Sequence, residues 1–148
     1  RVFAGLGIDA REVAPDMREE VANHLAARIL LPRQWFAADG SDCGWDLVEL
    51  KSRYRTASHE LIARRYLEMP PPVIVTIFDN GGLYFRRANV PGSVPGPSSV
   101  ELACRGEANR QNGPQQATEG GRSIQGWPVH EEGWQREILR TEVEVDFD

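Results

Sequence analysis

The chain has 148 residues, 41% of them apolar and 26% charged, with a formal net charge of −5, which suits one domain of ordinary size with a core of its own. No apolar run approaches the roughly 20 residues a membrane-spanning helix needs; the longest, Val73 to Phe78, is strand-sized. Residues 91–148 carry 10 of the 22 carboxylates and 5 of the 17 Lys and Arg side chains, so the acidic surplus sits there and nonspecific polyanion binding by the whole chain is not expected.

In chain order, residues 16–31 (DMREEVANHLAARILL) place Met17, Val21, Leu25 and Ile29 four apart, with Ala22, Ala26 and Leu30 beside them. That stripe predicts a helix closed by Pro32. A second helix is predicted from Asp46, which can cap it while Glu49 three residues on completes a capping box, with Leu47, Leu50 and Tyr54 on one face. Ser58 can cap a third, carrying Leu61, Ile62, Tyr66 and Met69 and stopped by Pro70, Pro71 and Pro72.

The period then changes. Val73 to Phe78 is β-branched and aromatic, Asp79 to Gly82 is a hairpin turn of the Asn-Gly type, and Leu83 to Arg87 is the returning strand. Residues 89–99 (NVPGSVPGPSS) read as a linker. Beyond it, Val100 to Arg110 is a short helix, Gln111 to Ser123 a polar loop, and Thr141, Val143, Val145 and Phe147 alternate with acids as a half-buried strand. The expected fold class is α+β: residues 1–88 as a helical half with a hairpin, the linker, and a small α+β module over residues 100–148.

Few residues carry obvious chemistry. Cys43 and Cys104 lack the spacing of a zinc knuckle or a redox motif, so a reducing cytoplasm is the default compartment. His59-Glu60 and His130-Glu131 each begin like the zinc-protease pattern HExxH, but Ala63 and Trp134 stand where the second histidine must be. Glu19 and Asn23 lie one turn apart on the first helix, a spacing that lets a carboxylate metal ligand and its supporting amide share a face. An acidic first turn also simply complements the helix dipole. Residues 46–87 have the order of a winged helix, with Arg64 and Arg65 on its second helix and Arg86 and Arg87 on the wing as possible nucleic-acid or partner contacts. Glu60 and Glu68 on the would-be recognition helix count against DNA. Trp127 and Trp134 are expected in the core rather than at a contact surface.

The string EEVANHLAARILLP, with Glu19, Ala22, Asn23, Ala26, Leu30, Leu31 and Pro32, resembles the signature of the ImmA/IrrE family of zinc metallopeptidases, and the resemblance extends through DLVELKSRYRTASHELIARRYLEM and VIVTIFDNGG to cover about residues 15–90. It implies a zincin-type helix followed by a helix-turn-helix pair, with Glu19 as the third zinc ligand and Asn23 as its neighbour. The other two ligands and the general base would come from an HExxH helix, expected upstream of Arg1, so the chain as given should be inactive. Val21 and Leu25 depart from the family pattern without touching the proposed ligand.

The resemblance further implies an intracellular enzyme, with zinc in the intact parent protein, that cleaves a transcriptional repressor, typically one of helix-turn-helix type, in transcription or stress regulation. Two other readings stand beside it. One is a noncatalytic winged-helix-like regulator that binds DNA or a repressor. The other treats residues 91–148 as an appended interaction module.

Overall fold

The computed structural model of the chain describes residues 15–145. Among the described residues, five α-helices and five strands form an α+β fold: α1 (Pro15–Leu30), α2 (Arg33–Asp42), α3 (Leu47–Arg53), α4 (His59–Arg65), β1 (Val73–Asp79), β2 (Gly82–Ala88), α5 (Ser99–Gln111), β3 (Gln115–Glu119), β4 (Arg122–Pro128) and β5 (Arg136–Glu142). The strands make one antiparallel sheet in the order β2-β1-β5-β4-β3.

Alternation along the strands sorts the core into two layers. Val75, Ile77, Trp127 and Ile138 pack with Leu31, Phe36, Leu47, Leu50, Ile62 and Tyr66 from the helices, while Phe78, Ile124 and Leu139 pack with Cys104 of α5. β1 is therefore covered on both faces, which is why its sequence is an almost unbroken apolar run instead of an alternating one.

Both predicted caps are present. The Glu49 backbone N–H donates to Asp46 Oδ2 at 3.3 Å and the Leu61 N–H to Ser58 Oγ at 3.1 Å. The hairpin turn has Asn80 and Gly81 at φ of 47° and 86°, the left-handed pair that joins antiparallel strands tightly. Pairing then slips by one residue: Ile77 faces Phe85 but Phe78 faces Leu83, leaving Tyr84 bulged.

Several expectations are corrected. α2 has no counterpart among the predicted elements, since only Phe36 and Gly40 of its residues are buried and no apolar period marks it. The stripe on α1 does not face the core: Met17 and Ile29 are 56% and 75% exposed, and the helix is buried only around Ala27 and at Leu31 just beyond it. The polar stretch 111–123 contains β3, an edge strand whose side chains need little apolar character. The last strand lies earlier than its alternation suggests, over Arg136–Glu142, because Glu137, Arg140 and Thr141 are buried polar residues. Phe147 lies outside the described residues. Trp127 is buried as expected, but Trp134 is 47% exposed.

Residues 89–98 are irregular, yet β5 pairs directly with β1 across all seven of its residues. The segments on either side of the proline-rich stretch thus share one sheet, and the described strands beyond it, β3, β4 and β5, do not form a separate one. Arg86 holds the stretch down, its Nε donating to Pro95 O at 2.8 Å. No described helix is long and apolar enough to cross a membrane.

Candidate functional site

α1 passes over the start of α4 and leaves a cleft of about 630 Å³, open to solvent. Glu19 and Asn23 of α1 line one side, and His59, Glu60 and Arg64 of α4 another. Tyr84 of β2, Lys51 of α3, and Glu131, Trp134 and Arg136 around the β4–β5 connection complete it. The two α1 residues singled out in the sequence are thereby brought together in one concave site. Glu19 is exposed and makes no hydrogen bond or ion pair among the described residues.

The opposite wall is a chain of alternating charges. Arg64 Nε donates to Glu60 Oε2 at 2.9 Å, Arg136 Nη1 to Glu60 Oε1 at 2.7 Å, and Arg136 holds Asp79 in a fork at 2.6 and 2.9 Å. The Arg136 guanidinium beside it holds the Asp79 carboxyl below the usual range, outweighing the effect of its partial burial. Lys51 Nζ is turned to the Arg55 and Ala57 carbonyls at 2.9 and 2.7 Å, closing the turn between α3 and α4. Burial, and then the nearby Lys51 charge, push the His59 imidazole below its ordinary pKa. That leaves a neutral imidazole in the cleft near pH 7.

The failed HExxH comparison discounts His59 and Glu60 in the sequence, and nothing local in it points to Tyr84 or Arg136. Both reach the cleft through tertiary pairing, Tyr84 by its bulge and Arg136 by the placement of β5 beside β1.

The four arginines proposed as contacts fare differently. Arg65 is 4% exposed; its Nε donates to Leu31 O at 3.1 Å and it pairs with Glu68, so it fastens the end of α1. Arg86 forms a buried pair with Glu101, Nη1 to Oε2 at 2.6 Å, and also donates to Thr76 Oγ1 at 2.6 Å. These two are corrected from surface contacts to internal struts, because a guanidinium spent on buried partners cannot reach a phosphate. Arg64 stacks over Phe85 with its Cζ 4.3 Å from the ring centroid, and Arg87, exposed, pairs with Glu20 at 2.9 Å. A recognition helix is also a poor description of α4, in which Leu61, Ile62, Ala63 and Arg65 are buried.

Among the described residues no group of three His, Cys, Asp or Glu side chains could hold a metal ion. Glu19 alone would supply at most one of the three ligands a catalytic zinc needs. The described residues therefore do not make a zinc site by themselves.

No protein-family model matches the chain, and no curated protein matches it. Among solved structures, a Mycobacterium tuberculosis transcriptional regulator is similar, at 17% identity and a TM-score of 0.60, over 94% of this chain and 60% of that one. The likeness is one of fold. It extends through almost the whole chain, including the residues beyond 90 that the ImmA/IrrE resemblance leaves out, and the chain spans about 60% of that protein's length.

Proposed function

We propose that the chain is the C-terminal part of a cytoplasmic zinc metallopeptidase of ImmA/IrrE type that acts on a protein controlling transcription, with Glu19 as a metal ligand and Asn23 beside it. One observation carries this: Glu19, with no partner of its own among the described residues, opens together with Asn23 into a polar cleft, and these are the two residues for which the family resemblance implies a metal-binding role. The lining suits a polypeptide, with neutral hydrogen-bonding groups, two half-exposed aromatic rings and acidic and basic side chains equal in number. Elemental analysis of the natural gene product tests it, with Glu19→Ala alongside. The expected result is about one zinc per chain, lost in the variant; a zinc-free natural chain ends the peptidase reading, and unchanged zinc in the variant removes Glu19 from the site.

A second reading is a noncatalytic regulator that uses the same cleft to hold a protein. The likeness of fold to an M. tuberculosis transcriptional regulator favours it. DNA is the weaker partner in that reading, since Arg65 and Arg86 are buried. Duplex binding whose affinity falls steeply with salt would restore it.

A further inference from the structure

We propose that Tyr84, Trp134 and Arg136 form a specificity subsite on the rim of the cleft that receives one bulky apolar side chain, such as phenylalanine or leucine, of the bound polypeptide. The inference rests on the polypeptide-binding reading above and deepens it.

Two large aromatic side chains lie exposed at the cleft, Tyr84 at 51% and Trp134 at 47%. Neither is loosely placed. Tyr84 is the extra residue of the β1–β2 bulge, a device that re-aims a side chain out of the sheet's alternation. Trp134 closes a tight turn through reciprocal backbone hydrogen bonds with Glu131, both 2.9 Å, and its indole N–H donates to Asp79 Oδ1 at 3.3 Å.

Between them stands Arg136, its Cζ 5.3 Å from the Tyr84 ring centroid and 5.7 Å from that of Trp134. Asp79 and Glu60 hold that guanidinium through ion pairs. Each ring is thus pinned through Arg136 while much of its surface stays in water. Rigid half-exposed aromatics lose little entropy when a ligand covers them, which is how anchor sites in interfaces gain affinity.

The chemistry of the occupant follows from charge. Arg136 already faces two carboxylates, so a further anion gains little from it, while its own charge opposes a cation stacked on the same rings. A polynucleotide could use the rings but would bring its phosphates against Glu19 and Glu131, and the lining carboxylates equal the lining cations in number. An apolar side chain within a neutral peptide backbone meets neither objection.

The test uses nitrogen-15-labelled protein and the four indole N–H resonances. Acetyl-Gly-Gly-Phe-Gly-Gly-amide should move the Trp134 resonance and bind about tenfold more tightly than its alanine counterpart. Tyr84→Ala and Trp134→Ala should each abolish that preference while the buried Trp127 resonance stays in place, reporting an intact fold. Equal binding of the two peptides, binding that spares Trp134, no peptide binding, an unchanged preference in both variants, or binding of a hexathymidylate instead would each overturn the proposal. A natural gene product without zinc that still prefers the phenylalanine peptide would end the peptidase reading and leave the subsite standing. A zinc-loaded chain without the preference would do the reverse.

Discussion

The indole N–H of Trp127 donates to Asp46 Oδ1 at 2.9 Å, while the other oxygen of the same carboxylate caps α3. One side chain thus closes a helix start and satisfies the only polar atom of a tryptophan side chain 2% exposed on β4, 81 residues later in the chain.

Asp46→Ala removes both at once. The lost cap costs about 1 kcal/mol and the orphaned indole about 1–3 kcal/mol more. Ser58→Ala, which loses only a cap, should cost about 1 kcal/mol. Chemical denaturation of the two variants checks the difference, and equal losses would mean that the Trp127 bond contributes nothing.

The pair Arg86–Glu101, with side chains 6% and 5% exposed, behaves as a buried ion pair. Arg86→Met or Glu101→Gln should each destabilise by about 3–5 kcal/mol, and the Arg86→Met, Glu101→Leu double variant by less than the sum of its single changes. Additive losses in a double-mutant cycle would argue against direct pairing.

At Gly40, an added Cβ would overlap the Trp45 ring, which packs edge-on against Phe36 and Tyr66. Alanine in a helix is ordinarily favoured over glycine by about 1 kcal/mol. Here the clash with a caged ring outweighs that gain, so Gly40→Ala should lower the melting temperature, whereas the same change at Gly106 of α5, where a Cβ meets nothing, should raise it.

Two groups contribute to the pH response in different ranges, both losing their effect as pH falls. His59 has its folded pKa lowered, so the folded state takes up its proton less readily than the unfolded chain; its contribution is intact above the ordinary imidazole range and is lost as pH falls below about 6.5. His59→Gln should flatten the fall in stability between about pH 7 and 5. Asp79 is also lowered, by Arg136, so its contribution persists to more acid conditions and disappears as pH falls below the ordinary aspartate range, about 4. Denaturation midpoints across pH for the wild type, His59→Gln and Asp79→Asn separate the two; a His59→Gln profile parallel to the wild type would refute the first assignment.

Local signals read well from sequence because their physics is local. The caps at Asp46 and Ser58, the Asn80-Gly81 turn and the apolar run of β1 each depend on residues within a few positions of one another. Sequence reading fails where a distant partner decides. Arg140 sits in a strand core because its guanidinium lies between the Trp45 and Tyr66 rings, 5.4 and 5.5 Å from their centroids. Arg86 and Arg65 look like surface cations in the sequence because Glu101 and the Leu31 carbonyl cannot be paired with them from spacing alone. The site is half legible. Glu19 and Asn23 share a helix face, whereas the wall opposite them is assembled from four separate elements and the β4–β5 connection.

β1 also decides where this chain can be cut. Its two neighbours come from opposite sides of the proline-rich stretch, so a fragment ending near residue 88 would present Val73–Phe78 with one edge bare. A flat, uncharged, β-branched edge of that kind recruits other copies of itself. The segment that most resembles a spacer is therefore a poor place to divide the protein, and fragments made there should aggregate where the undivided chain does not.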